Sequence, residues 1–155
     1  MVKVLLLSGD ISTNPGPNQN QFISQMNNIW LPFEKRGLHI IQLNINSLLP
    51  KLDEIRNITK HAKPAVFGIT ESKLDDTIPD SEINIDEYIV IRSDRNRHGG
   101  GVVCYIREDL CFKIHNVLSR TIEGLIFDIL LPKTKPITVG ILYRPPDQIG
   151  FLEIS

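Results

Sequence analysis

The chain has 155 residues, the size of one ordinary domain, which excludes a multidomain machine. Its 17 Lys and Arg residues against 18 Asp and Glu residues give a formal net charge of -1, so any nucleic-acid contact must come from a local patch. The two cysteines, Cys104 and Cys111, are too few for a disulfide scaffold or a zinc site. We expect both to be small buried apolar residues in a reducing compartment.

The first 37 residues divide into two segments. Residues 1–17 join an apolar stretch to a Pro- and Gly-containing sequence, and the amide-rich residues 18–37 are interpreted as a linker with a short amphipathic helix. The apolar run at residues 4–7 is too short for a membrane span or the core of a signal peptide. We therefore expect no membrane contact and an intracellular location.

A strand, a helix and a second strand follow. Residues 38–44 are rich in β-forming types and predict a buried strand. Ser47 is predicted to cap the next helix, with Pro50 in its first turn and an apolar stripe running to Ala62. Residues 65–70 predict the second strand. This order implies a parallel pair joined by a right-handed crossover, with functional groups at the carboxyl ends of both strands.

The polar residues at those two ends are candidate ligands of a hard cation. Asn44 and Asn46 end the first strand, and Glu71 follows the second. Mg²⁺ prefers oxygen ligands, usually one or two carboxylates with water and phosphate completing the set. Solvated polar residues also end strands in most proteins, and on these residues alone that purely structural interpretation is favoured.

Beyond Glu71 an acidic loop to Glu87 leads into an all-β pattern. Strands are predicted at residues 88–92, 102–107, 122–131 and 137–143, and the three consecutive glycines 99–101 predict a turn with positive φ. One helix and about six strands predict a broad sheet with too few other elements to pack against its faces. The inward face of strands 102–105, 125–131 and 137–142 is then expected to be exposed, which favours aggregation or a marginal fold.

The segment of residues 92–98 contains three arginines and one acid. Arg95 and Arg97 have two interpretations here. They contact DNA phosphates, which are bound by local positive charge, or they form a solvated hairpin tip. The charges alone leave the two about equal.

Four short segments carry a family resemblance because they occur in a fixed order. They are residues 43–48 (LNINSL), 68–74 (GITESKL), 99–102 (GGGV) and 140–146 (GILYRPP). Together they resemble the first half of the endonuclease/exonuclease/phosphatase family. More narrowly, they resemble the apurinic-type endonuclease domain of non-LTR (LINE-type) retrotransposons, over residues 38–155.

The resemblance implies an α/β fold, the N-terminal half of a four-layer α/β sandwich, with a mixed sheet and one main crossover helix. It implies hydrolysis of phosphodiester bonds in target-site duplex DNA, dependent on Mg²⁺ or Mn²⁺. It also implies a reverse transcriptase domain downstream in the same polyprotein, and activity in the cytoplasm and nucleus.

Residue roles follow from the same resemblance. Asn44 and Glu71 would lie in the metal and phosphate pocket, with Glu71 as the metal ligand, and Tyr143 would donate its hydroxyl to the scissile phosphate. Arg95 and Arg97 would contact DNA. Asn46 stands where the repair nucleases of the family use an aspartate, while the retrotransposon relatives resemble this chain.

The later motifs of the family are missing from the 155 residues. These are the Gly-Asp-Phe-Asn segment that orients water and the closing Ser-Asp-His with the general base. The chain is therefore expected to be inactive as it stands, and the alternative is a catalytically inert, decayed fragment with at most weak DNA binding. A phosphomonoesterase or repair branch of the family is a third reading, which Asn46 disfavours.

A second resemblance lies in residues 9–17 (GDISTNPGP), which resemble ribosome-skipping peptides. The peptide bond between Gly16 and Pro17 is then the one not formed during translation. Ser12 stands where these peptides commonly have glutamate. The last four residues alone would only indicate a good turn.

Overall fold

The chain forms a mixed α/β fold. The computed structural model describes the backbone of residues 2–7 and all atoms of residues 37–115 and 123–144. Within these ranges there are eight strands, one α-helix, α1 (Leu52–Ala62), and a single 3₁₀ turn, Leu49–Lys51. The strands are β1 (Val2–Leu7), β2 (Leu38–Asn44), β3 (Val66–Thr70), β4 (Tyr88–Ser93), β5 (Val102–Arg107), β6 (Cys111–His115), β7 (Glu123–Leu130) and β8 (Ile137–Tyr143).

Five strands form the first sheet, in the order β1-β2-β3-β5-β4, and three form the second, in the order β6-β7-β8. In the first sheet β1, β2 and β3 are parallel, whereas β5 pairs antiparallel with both β3 and β4. The predicted mixed sheet and its crossover helix between β2 and β3 are confirmed. All six strands predicted beyond residue 37 are observed, as β2, β3, β4, β5, β7 and β8. Each predicted end lies within one residue of the observed end.

Helix α1 begins later than the sequence predicts. The 3₁₀ turn comes first and contains Pro50, which has no N–H to donate and suits the first turn of a helix. Ser47 has φ of 92° and makes no capping hydrogen bond to the helix, so the prediction of a Ser47 cap is wrong. The helix ends at Ala62, and the next residue, Lys63, adopts the left-handed conformation and donates its N–H to the carbonyl of Thr59.

The first sheet is buried on both faces because its strands alternate between two apolar layers. In β5, Val103 and Tyr105 pack on the side of α1, whereas Val102, Cys104 and Ile106 pack against the second sheet. The second sheet contributes the inward residues of β7 and β8 to that shared core. Helix, first sheet and second sheet thus form three layers in the described residues.

The expectation of an uncovered inward face is therefore wrong. That expectation places β5, β7 and β8 side by side in one sheet, but β5 belongs to the first sheet and the other two to the second. Their apolar faces cover each other, and Phe127 and Ile129 are fully buried between them. The expectation of aggregation loses this basis and stays a prediction.

The outer face of the second sheet exposes several apolar side chains. Leu130 and Leu142 are 42% and 43% exposed. Cys111 is also exposed and pairs across the sheet with Leu130, so its predicted burial is wrong, while that of Cys104 is confirmed. Strand β6, which carries Cys111, was not predicted because its five residues include polar Lys113 and His115.

Strand β1 was likewise not predicted. It lies inside the segment of residues 1–17 and pairs in parallel register with β2, from Val2 opposite Leu38 to Leu7 opposite Leu43. Gly16, Pro17 and the rest of the linker lie outside the described residues, so the division at 1–17, 18–37 and 38–155 stays a prediction. In the described part of the chain no helix is long and apolar enough to cross a membrane.

Candidate active site

One edge of the fold brings together the ends of strands from both sheets. In the first sheet Asn44 pairs with Thr70, and Thr70 pairs with Val102, so the carboxyl ends of β2 and β3 meet the start of β5. In the second sheet Glu123, which begins β7, pairs with Tyr143, which ends β8. The N–H of Gly101, just before β5, donates to the side chain of Glu123, so these strand ends lie at a single site.

Three of the residues singled out in the sequence lie together there, around the carboxylate of Glu71. The Asn44 Nδ2 donates to Glu71 Oε1 at 3.0 Å. The Tyr143 hydroxyl lies beside the Glu71 carboxylate, which contributes to the shift of its pKa. Burial raises the pKa of Tyr143 to about 12, and the negative charges of Glu71 and Glu123 add to the shift. The phenol accordingly stays protonated, and a hydrogen-bond donor, at neutral pH.

The loops after β2 and β3 hold an unusual number of left-handed residues. Asn46, Ser47, Glu71 and Lys73 have φ of 48°, 92°, 55° and 52°. Positive φ is uncommon outside glycine and tends to collect at functional sites. Backbone hydrogen bonds lock the two loops together, among them Ser47 N–H to the Glu71 carbonyl at 2.8 Å. Glu71 is thus held by its backbone as well as by its side chain.

The glycine turn before β5 supports this loop from the other side. Gly100 and Gly101 have φ of 69° and 84°, as predicted for the turn. The carbonyl of Gly101 accepts from Ser72 N–H at 3.2 Å, and that of Gly100 accepts from Lys73 N–H at 3.0 Å. A Cβ on Gly101 would lie 2.6 Å from the buried Ser72 Oγ, so the close approach requires glycine there.

Glu123 is a site residue that the sequence analysis missed. Its Oε2 accepts from Gly101 N–H at 2.8 Å, and its Oε1 pairs with Arg95 Nη1 at 3.1 Å. Glu123 therefore ties the glycine turn of the first sheet to β7 of the second. Its only sequence signal is its place at the start of a strand, which many structural acids share.

The two candidate DNA-binding arginines differ in their surroundings. Arg95 lies beside the site through Glu123, and its positive charge opposes the raised pKa of Tyr143. Arg97 is exposed in the hairpin that joins β4 to β5. The third arginine of the segment, Arg92, is 15% exposed and pairs with Asp80 and Asp94, which makes it a structural residue.

The charge of Glu71 bears on whether the site suits a cation. Within the described residues its carboxylate bonds only to neutral donors and has no ion pair, whereas Glu123 is paired with Arg95. No group of three His, Cys, Asp or Glu side chains forms a metal cluster in the described ranges. One uncompensated carboxylate with an amide beside it fits Mg²⁺, which keeps most of its water and takes phosphate oxygens as further ligands.

The histidines of the described residues, which are the usual candidates for a general base, lie elsewhere in the fold. His39 is at the start of β2, at the end of the strand remote from Asn44, and His61 bonds to the Asn57 carbonyl on α1. His115 pairs with Asp128 at 2.8 Å in the second sheet, and His98 is exposed in the β4–β5 hairpin. None of them is bonded to Asn44, Glu71 or Tyr143.

The raised pKa of Tyr143 predicts a specific titration behaviour. In the Glu71→Gln variant, tyrosinate absorbance should show Tyr143 titrating at a lower pH than in the parent, because the neighbouring group becomes neutral and one negative charge is lost, while burial still raises the pKa. Tyr88 and Tyr105 remain silent in that range, since burial raises the pKa of both. In the parent chain the raised pKa implies that stability is present below about pH 10 and is lost as the pH rises through about 12. Identical titrations of parent and variant would contradict the Tyr143–Glu71 contact.

No family model matches the chain, and no curated protein does. Among solved structures, the 3′ phosphatase NExo from Neisseria, bound to a product DNA hairpin, is similar at 20% sequence identity and a TM-score of 0.47. The match covers 67% of this chain and 40% of that one, so the chain spans well under half the length of that protein.

Proposed function

We propose that the chain carries the N-terminal half of a Mg²⁺-dependent DNA endonuclease site of the endonuclease/exonuclease/phosphatase family, from a non-LTR retrotransposon. The observation that carries the proposal is the cluster of Asn44, Glu71 and Tyr143. These three residues stand 27 and more positions apart in the sequence and belong to three of the four segments on which the resemblance was based. Their meeting around one carboxylate supports the proposal.

Each residue of the cluster has a chemical role in this proposal. Glu71 and Asn44 would hold the metal ion, which when bound neutralises charge that develops on the phosphate. Asn44 orients the Glu71 carboxylate through its amide N–H. Tyr143 keeps its proton and donates it in a hydrogen bond to a non-bridging phosphate oxygen, which stabilises the transition state electrostatically.

Duplex DNA is the proposed substrate, with Arg95 and Arg97 contacting its phosphates. For Arg95 this contact requires exchange of its partner Glu123 for a phosphate, whereas Arg97 is exposed already. We further propose the reverse transcriptase domain of the same polyprotein as the downstream neighbour, action in cytoplasm and nucleus, and ribosome skipping between Gly16 and Pro17.

The second candidate is an inert, decayed fragment, and one observation favours it. The described residues place no histidine or second free carboxylate at the cluster to activate water, because Glu123 is already paired. Such a fragment would retain the fold but would not hydrolyse phosphodiester bonds.

A plasmid-nicking assay in Mg²⁺ tests the proposal. We expect the 155 residues alone to leave supercoiled plasmid intact, because the agent that activates water is missing from the cluster. The product of the reading frame extended downstream should nick, and Glu71→Ala should abolish that nicking. If the 155 residues nick plasmid and Glu71→Ala abolishes that nicking, the proposal that they carry only half of the active site is wrong. If the extended product never nicks, the decayed fragment is favoured.

A further inference from the structure

Two lysines beside the cluster differ from the other lysines of the described ranges. Lys51 and Lys73 are partly buried, whereas Lys60, Lys63, Lys113, Lys133 and Lys135 are exposed. Burying a lysine removes water from its ammonium group, which is unfavourable unless other groups replace that water. The burial of these two therefore calls for an explanation.

The two ammonium groups come from different loops and meet over the same short segment. Lys51, at the end of the 3₁₀ turn, donates to the carbonyl oxygen of Ile45. Lys73, two residues after Glu71, donates to the side-chain oxygen of Asn46. Their acceptors are adjacent in the sequence, so both positive charges lie against the loop that follows Asn44.

Neither charge is neutralised by a direct partner. In the described part of the chain no carboxylate oxygen lies within ion-pair distance of Lys51 or Lys73, although Arg56, Arg92, Arg95 and Arg107 all have such partners. Partial burial lowers the pKa of Lys51; the carboxylate of Glu54 opposes this shift, and the charge of Lys73 adds to it. The two ammonium groups are thus close enough to repel each other.

Two like charges held together by neutral oxygens form a ready site for an anion, which relieves the repulsion and accepts the remaining N–H donors. We propose that Lys51 and Lys73 together bind one phosphodiester group of the DNA strand next to the scissile phosphate. This inference rests on the function proposed above, which places a DNA strand at Glu71. It assigns to the lysine pair the task of fixing the register of that strand, since phosphate contacts position the duplex.

The test is the salt dependence of duplex binding, measured in EDTA so that no metal and no hydrolysis intervene. A fluorescently labelled duplex is titrated with the full chain at several KCl concentrations. For Lys51→Gln/Lys73→Gln we expect affinity at low salt to fall about tenfold or more, and the slope of log K against log salt to shrink by about 1, the loss of one phosphate contact. The variant Lys51→Arg/Lys73→Arg should retain the parent slope.

The matched control removes the same charge at the other end of the second sheet. Lys133→Gln/Lys135→Gln alters the exposed turn between β7 and β8, remote from Tyr143 and Glu123, and should leave slope and affinity as in the parent. An equal loss in this control, an unchanged slope in the Lys51/Lys73 variant, or no duplex binding by the parent would overturn the inference. Thermal unfolding of each variant separates a binding defect from a folding defect, and the single variant Lys73→Gln, measured alongside, keeps the test decisive if the double variant is unstable.

Binding of Mn²⁺ to the same variants distinguishes the two proposals. If Mn²⁺ binding depends on Glu71 but the Lys51→Gln/Lys73→Gln variant keeps the parent's duplex affinity, the lysine site is wrong and the metal-dependent function stands. If the slope of log K against log salt depends on the two lysines but no metal binds at Glu71, the metal-dependent function is wrong and the lysine site stands.

Discussion

Replacing Glu71 by glutamine should lower the affinity of the chain for Mn²⁺ by about 100-fold or more. Losing a residue that only hydrogen-bonds to a metal ligand already lowers affinity by up to about 100-fold, and Glu71 is proposed as a ligand itself. Glu71 is the one carboxylate of the cluster whose charge has no cationic partner in the described residues, because Arg95 already compensates Glu123. Glutamine removes that charge and keeps an oxygen in the same place.

The shape of the cluster should survive this substitution. The side-chain oxygen of glutamine still accepts from Asn44 Nδ2, as the carboxylate does now, and remains beside the Tyr143 hydroxyl. Loss of metal binding without a change in the unfolding temperature therefore separates ligation from folding. Titration with Mn²⁺, followed by water-proton relaxation, measures the affinity.

Glu108 offers the matched control for this measurement. It is exposed and follows the far end of β5, where its N–H bonds to the Glu87 carbonyl. Glu108→Gln makes the same chemical change remote from the site and should bind Mn²⁺ as the parent does. If Glu71→Gln also bound Mn²⁺ like the parent, the assignment of Glu71 as the metal ligand would be wrong.

The parts of the fold that follow local rules could be predicted from the sequence. The apolar stripe of α1 and the β-forming runs of β2 and β3 each depend on residues close together in the chain, and a crossover between parallel strands has one favoured hand. The convergence of Asn44 and Glu71 follows directly from that parallel pair. The glycine turn was predictable too, since consecutive glycines favour positive φ.

The parts that depend on distant partners could not be predicted in the same way. Whether β5 joins β3 or β7 is decided by pairing over many residues, and an alternating apolar pattern fits either sheet. Glu123 has no local signal, because its partners Gly101 and Arg95 come from another strand pair. The lysine pair was missed for the same reason: Lys51 and Lys73 meet only after two loops are folded against each other.

Substituting Gly68 by alanine should destabilise the fold by about 1–3 kcal/mol, the usual effect of overpacking a core. Gly68 lies in β3, between Gln42 of β2 and Cys104 of β5. A Cβ there would lie 2.6 Å from Cδ1 of Ile141, which is on β8 of the second sheet. It would also lie within 3 Å of Cγ1 and Cγ2 of the same side chain. The two sheets approach each other at this point, and only a residue without a side chain permits that distance.

Gly140 provides the control because it is a strand glycine with space around it. A Cβ on Gly140 would meet nothing closer than 3.9 Å, so Gly140→Ala should leave the free energy of unfolding nearly unchanged. Both glycine variants lose the same backbone freedom in the unfolded chain, so the difference between them isolates the contact with Ile141. Denaturant unfolding of parent and variants provides the free energies.

A double-mutant cycle shows whether Ile141 is the cause. Ile141→Ala alone should be destabilising by about 2–5 kcal/mol, because it empties part of the buried core between the sheets. In Gly68→Ala/Ile141→Ala the new methyl group occupies part of that space, so the double variant should be more stable than the sum of the single effects by more than about 0.5 kcal/mol. Strict additivity would contradict the close approach.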